Sequence, residues 1–212
     1  MKQNEGIGIN LGLVSNQFCV SELIDPLRDM AAEDLRWTAK PFTKGAAILH
    51  QGEKTEQAFI LENGLVKLTY QNANGDERIK SFIADRGIFG SISGNGRANP
   101  SRFSAICVEP SIIIRLPLAW VQQAIAANLQ LQTAYLKFAG WLQHRKELRE
   151  EALLCESAES RYCLFLEQEA ELASRLPQGD IARFLGITPI AFSRIKRRMS
   201  MQGQGQGQDL PI

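Results

Sequence analysis

The stretch Gln178-Gly179-Asp180-Ile181-Ala182-Arg183-Phe184-Leu185-Gly186-Ile187-Thr188-Pro189-Ile190-Ala191-Phe192-Ser193-Arg194-Ile195-Lys196-Arg197-Arg198 decides the fold. It reads as two short helices around a glycine-centred turn. Ile181, Ala182 and Leu185 recur at helical spacing, and Gly186 ends the first helix where a residue without a side chain is least strained. Thr188 is placed to cap the second helix, and Pro189 suits its first position, where no backbone donor is lost. Ile190 or Ala191, with Ile195 and Met199, supplies a buried stripe and leaves Ser193, Arg194, Arg197 and Arg198 on other faces. Between Leu176 and Met201 the basic residues Arg183, Arg194, Lys196, Arg197 and Arg198 stand against a single acid, Asp180. A helix-turn-helix, whose second helix enters the DNA major groove, accounts for turn, caps and one-sided charge together. A solvated amphipathic hairpin accounts for the apolar stripe alone.

Upstream of this unit lies a long helical run. The pattern predicts a helix at Leu118–Ala127, just after Pro117, and a longer one from Leu129 to Cys155. On the latter, Leu131, Tyr135, Phe138, Leu142 and Arg145 alternate by four and three, the spacing of a two-helix seam. Trp141, Leu148, Ala152 and Cys155 form a second stripe. The alternative for the first stripe is packing on the chain's own β domain. Ser157 is the next N-cap candidate, with a further helix predicted over Ala158–Leu172 and a hinge at Glu156-Ser157.

Further upstream the pattern changes to short strands punctuated by glycine: Ala47–Leu49, Ala58–Leu61, Leu65–Tyr70, Ile79–Ile83, Ser104–Val108 and Ile112–Leu116. Gly87–Gly90 counts among the punctuation, and Asn74-Gly75 is the strongest hairpin signal. Regular short strands with such turns predict a roll, barrel or jelly-roll sandwich. A helix is expected from Ser21 to Trp37, with Leu23, Ile24, Leu27, Met30 and Leu35 on its apolar face. The fold class is therefore α+β. Its parts are a flexible arm (1–20), a β-roll with flanking helices (21–128), a long linking helix (129–156), a helix-turn-helix domain (157–201) and a disordered Gly-Gln tail (202–212).

Composition narrows the chemistry. A formal net charge of +1 over 212 residues carries no global basic bias, so a nucleic-acid footprint must be local. The four cysteines (Cys19, Cys107, Cys155, Cys163) are dispersed and the two histidines, His50 and His144, are far apart, which argues against a zinc-finger or disulfide framework. No metal site is expected. An iron-sulfur centre would need clustered cysteines where Cys19 stands alone, and a haem would have only His50. A β-roll metalloenzyme would need inward-facing histidines and carboxylates, yet only His50 lies in the strand region. No catalytic residues are assigned, and the expectation is a cytoplasmic non-enzyme without a membrane segment.

Taken in order, these parts resemble the Crp/Fnr family of bacterial transcription regulators over Leu23–Met199. Lys44-Gly45-x-x-Ile48-x-x-x-Gly52-Glu53, then Phe59-Ile60-Leu61-x-x-Gly64-x-Val66-Lys67-Leu68, is similar to the opening of a cyclic-nucleotide-binding roll. Asn74-Gly75-Asp76-Glu77 matches its next hairpin, and Gly87-x-Phe89-Gly90 its approach to the ligand cassette. The helix-turn-helix is similar to a branch of the family with a reduced β wing. The resemblance implies a homodimer that binds a near-palindromic stretch of double-stranded DNA and can work with RNA polymerase. Within it, Arg194 takes the base-reading position, with Thr188, Pro189, Ile190 and Ser193 beside it. Gln178, Lys196, Arg197 and Arg198 are expected at phosphates.

The resemblance also places an effector pocket at Phe89, Gly90, Ser91, Ile92, Arg102, Phe103 and Ser104. Its cassette is altered: Gly90 is followed by Ser91 rather than glutamate, Phe103 and Ser104 follow Arg102, and Arg145-Lys146-Glu147 replaces the polar pair of the long helix. Cyclic AMP is therefore not expected to bind in the usual way. The cofactor is open between none, a cyclic nucleotide in a variant cassette and another small anion, for which Arg97 and Arg102 are candidates. A small-ligand sensor or adaptor without DNA binding is the remaining alternative.

Overall fold

The computed structural model describes residues 17–33, 38–90 and 100–205. Helix α1 (Gln17–Glu33) precedes eight strands: β1 (Thr38–Phe42), β2 (Ala47–Leu49), β3 (Gln57–Asn63), β4 (Leu65–Gln71), β5 (Glu77–Ala84), β6 (Gly87–Gly90), β7 (Ser104–Cys107) and β8 (Ser111–Pro117). Helices α2 (Leu118–Ala127), α3 (Leu129–Cys155), α4 (Ala158–Gln168), α5 (Ala170–Arg175), α6 (Gln178–Phe184) and α7 (Pro189–Gly205) follow among the described residues.

The strands form two four-stranded antiparallel sheets, ordered β1-β8-β3-β6 and β2-β7-β4-β5. Period-two alternation sends Phe59 and Leu61 of β3 and Val66 and Leu68 of β4 into the layer between the sheets, with Leu49, Phe89, Phe103, Ala105 and Ile113. The other faces are buried too. Ala58 and Ile60, with Ile114 and Leu116 of β8, lie under α1 and α2. Leu65, Ile79, Phe82 and Val108 on the second sheet lie under the C-terminal helices. Burial on both faces explains why β3 reads as an unbroken apolar run rather than an alternating one. At the β3–β4 turn Gly64 has φ +111°, and a side chain there would run into Ser111 and the Pro110 carbonyl.

Several expectations are corrected. Gly87–Gly90, read as punctuation, is strand β6, in which Phe89 stacks on Phe59 at 5.2 Å. Strand β1 is not among the expected strands; it contains Pro41, which its edge position tolerates. Helix α1 begins at Gln17, four residues before Ser21, and Leu35 lies outside the described residues. The helix expected over Ala158–Leu172 is broken at buried Glu169 (φ −136°, ψ 37°), a break that lets both Phe165 and Leu172 reach one core. Helix α7 continues to Gly205 rather than ending at Met201, since a running helix needs only one hydrogen bond per added residue. The arm (1–16) and the rest of the tail (206–212) lie outside the described residues.

Other expectations hold at the residue level. α2 and α3 have the expected limits, and Ser157 Oγ accepts from the Ser160 amide as an N-cap. The Asn74-Gly75 hairpin joins β4 to β5, closed by the Asn72 amide donating to the Asp76 carbonyl at 3.1 Å.

The helix-turn-helix is docked on the roll. Phe184 packs against Phe82 of β5 (5.4 Å) and Phe165 of α4 (5.7 Å). Lys67 of β4 spans Asp180 (3.2 Å) and Glu77 (2.8 Å). Arg175 bonds Asp85 at 2.7 Å, Glu109, and the Gly64 carbonyl at 3.0 Å. Arg149 of α3 donates to the Ile79 carbonyl (3.0 Å) and the Phe184 carbonyl (2.9 Å) while lying 3.8 Å over the Phe184 ring. One guanidinium thereby ties the roll, the long helix and the end of α6 together.

Candidate nucleic-acid interface and effector region

α6 and α7 meet at the turn the sequence predicts. Gly186 takes φ +75° and its amide bonds the Arg183 carbonyl, while Thr188 Oγ accepts from the Ala191 amide at 3.2 Å. Pro189 is the first residue of α7. Ile181, Ala182 and Leu185 are buried as expected. On α7 the anchor is Phe192, which the sequence reading passed over. It is 2% exposed and meets the Tyr162 ring edge-on at 4.9 Å, with Ile195 and Met199 on the same side. Its aromatic ring two residues from Arg194 was the available signal, masked by the neighbouring Ile190-Ala191.

The outward face of α7 is what remains. Thr188, Pro189, Ile190, Ser193, Arg194, Arg197 and Arg198 are all exposed. Ile190, at 68% exposed, is excluded from the core stripe. Arg198 pairs with Glu159 of α4, and the ammonium of half-buried Lys196 lies 6.0 Å over the Phe192 ring. Gln178 is exposed at the start of α6. Of the expected reading and phosphate residues all but Lys196 are thus exposed, and residues 158–205 contain no strand among those described.

Of the expected effector residues, Phe89, Gly90, Arg102, Phe103 and Ser104 are described. Ser91 and Ile92, like Arg97, lie outside the described residues. Phe89 and Phe103 are buried in the layer between the sheets, Gly90 pairs with Ala58, and Ser104 Oγ accepts from the Gln51 amide. Arg102 is exposed, one residue after buried Ser101, whose hydroxyl bonds the Phe103 carbonyl and fixes the turn. The basic group that does meet Phe103 is Lys80 of β5, with its ammonium 4.9 Å over the ring. Among the described residues, no group of three histidines, cysteines or carboxylates is arranged to hold a metal.

The seam residues also redistribute. Leu131 is fully buried against α1 and α2 of its own chain, and Phe138 and Leu142 are half-buried, Phe138 beside Trp141 (5.8 Å). Arg145 is likewise half-buried, stacked on Trp141 at 4.6 Å, and only Tyr135 of the five is exposed. The most exposed leucines of α3 are Leu129 (76%), Leu136 (69%) and Leu154 (77%), with exposed Gln143, Glu147 and Glu150 on the same side between the last two. Leu131 and Phe138 pack with α1 and α2, so this end of the four-three stripe serves the chain's own fold.

Residues 39–128 match the family model described as a cyclic nucleotide-binding domain. The Global nitrogen regulator of Synechococcus elongatus is 22% identical over 69% of this chain, and the chain spans 66% of that relative's length. FixK2 from Bradyrhizobium japonicum superposes with a TM-score of 0.68 at 21% identity, covering 79% of this chain and 86% of that one. A CooA mutant from Carboxydothermus hydrogenoformans does so with a TM-score of 0.69 at 16% identity, covering 92% and 88%. Roll, long helix and C-terminal helices follow one another in the same order along almost the whole chain. Residues 39–128 thus match a cyclic nucleotide-binding domain, and the chain as a whole shares the fold of FixK2 and CooA.

Proposed function

We propose that the protein is a homodimeric, sequence-specific DNA-binding transcription regulator. The observation that carries this reading is the α7 surface: Arg194, Arg197 and Arg198 are exposed together with Thr188, Pro189, Ile190 and Ser193, while Phe192 and Ile195 hold the helix from behind. An exposed helix with basic residues on its outer face suits the major groove. Arg194 is placed to bond a guanine edge bidentately, and exposed Ile190 to touch a thymine methyl. Lys196, Arg197, Arg198 and Gln178 serve at phosphates, which position without specifying. The names of the curated relatives, as regulators, support the same reading.

A dimer sets two such helices into successive major grooves, roughly 34 Å apart. Its seam lies on α3, where Leu129, Leu136 and Leu154 are the most exposed leucines. RNA polymerase is the partner that a promoter-bound regulator of this kind meets, and the cytoplasm is where both would be. Selection of bound duplexes from a random pool, followed by titration against salt, tests the reading. The expected result is a near-palindromic site and a steep negative salt slope. No enrichment and no binding at low salt would overturn it. Leu136→Glu, read by sedimentation, should yield monomers.

A further inference from the structure

The carbonyls that end a helix have no partner within it. At the end of α6 the chain supplies the amides of Leu185, Gly186 and Ile187, which donate to the carbonyls of Ile181, Arg183 and Ala182 in that order. This closure around a left-handed glycine leaves over the carbonyls of Phe184 and Leu185. Both are taken by arginines from outside the helix-turn-helix. Arg149 of α3 donates to the Phe184 carbonyl at 2.9 Å, and Arg161 of α4 donates through Nε to the Leu185 carbonyl at 3.1 Å. Cations suit this end of a helix, where carbonyls concentrate partial negative charge.

Each arginine also holds a second carbonyl, which says what the turn is fastened to. Arg149 reaches Ile79 of β5 at 3.0 Å, and Arg161 reaches Glu156, the residue that caps the end of α3, at 2.6 Å. The two side chains line one small gap with Ala152, Leu153, Phe184 and Leu185. Burial, with Arg145 and Arg161 nearby, lowers the Arg149 pKa to about 10, so like charges are gathered here at a cost. A backbone carbonyl has no side-chain torsions, and a bond to it fixes position. Helix α7 starts at Pro189, just beyond the bonded Leu185.

We propose that Arg161 and Arg149 are positioning residues for DNA recognition. By tying the turn of the helix-turn-helix to the end of α3, they set the distance between the two α7 helices of the dimer and so the spacing of operator half-sites. The inference rests on the regulator reading above and names what orients its reading surface. Neither arginine belongs to the exposed face of α7. The bases read within each half-site are therefore left to α7, while half-site separation follows the geometry of the dimer.

The test pairs a measurement without DNA and one with it, both on the full chain. In hydrogen exchange, R161Q should speed exchange at the Gly186 and Ile187 amides by about tenfold and leave those of Phe59–Leu61 in β3 unchanged. In selection from a random pool, R161Q should return the wild-type half-site bases with a shifted or broadened spacing. It should also lose about tenfold in affinity for the wild-type operator. R161K, which keeps the charge but not the planar fork, should alter the spacing less, and it carries the same test if R161Q does not fold. Unchanged exchange at the turn, or wild-type spacing kept sharply by the folded variant, would overturn the proposal. So would a change in the half-site bases themselves, which would put Arg161 in the reading surface. If the wild type selects no duplex, the regulator reading falls and the spacing role with it, whereas unchanged exchange in R161Q refutes the fastening alone.

Discussion

The chain holds two clusters of cations that could hardly be set more differently. On α7, Arg194, Arg197 and Arg198 stand in water, on a surface kept in place by Phe192 and Ile195 behind it. Between β5 and α3, Lys80, Arg145 and Arg149 are crowded against aromatic rings and one another, and burial lowers the pKa of each. The exposed cluster costs the fold little and is ready for a polyanion. The second cluster is partly desolvated, which disfavours its charged forms. Sequence composition alone would score the two alike; desolvation separates them.

Both clusters are held by the same docking surface, so breaking that surface has the largest expected effect. Phe184→Ala removes the ring shared by Phe82, Phe165 and Arg149, and should cost about 3–5 kcal/mol in urea unfolding. A loss below about 1 kcal/mol would mean that the helices do not rest on the roll. Next comes Arg175→Ala, which strips the hydrogen-bond partner from half-buried Asp85 and Glu109. About 1–3 kcal/mol is expected at neutral pH. Burial alone would raise the Asp85 pKa, but Arg175 and the Gly64 amide outweigh it and hold the pKa below 3.8. The contribution is therefore present above that value and fades as pH falls through it, so wild type and variant should converge in acid.

At the exposed cluster, Arg194→Ala should leave the melting temperature unchanged. It should lower affinity for the selected site by about 1–3 kcal/mol and blur one base position. Equal affinity with equal sequence preference would remove Arg194 from the reading role. The smallest effect belongs to the buried cluster. Because the Lys80 pKa is lowered to about 8 from 10.5, the unfolded chain binds the extra proton between those values, and stability should rise with pH across that window. Lys80→Met should be slightly more stable than wild type at pH 7, with a gain that shrinks as the window is crossed. A less stable Lys80→Met protein would show that packing, not charge, governs the position.

What the sequence made legible was local. Thr188, Pro189 and Gly186 each specify a backbone conformation through their own covalent geometry, and Ser157 and Asn74-Gly75 do the same, so these positions could be read without neighbours. The order of strands and helices followed from the same punctuation. What stayed hidden depends on partners distant in sequence. Leu131 obeys a seam spacing yet serves α1, and Arg102 sits beside a core phenylalanine yet faces solvent. Lys80 looked like an ordinary strand lysine, because a bulge is a property of two strands and not of one.

The apolar cluster around Phe184 draws Leu65, Ile79, Phe82 and Val108 from the roll and Tyr162, Leu172, Ile181 and Phe192 from the C-terminal helices. Residues 157–201 thus look like a separable unit on paper but share their interior with strands a hundred residues earlier. A hybrid made by exchanging that segment for a relative's would inherit a mismatched half-core. Specificity transplants in this scaffold should therefore be confined to the outward residues of α7, or carry the four roll residues along with them.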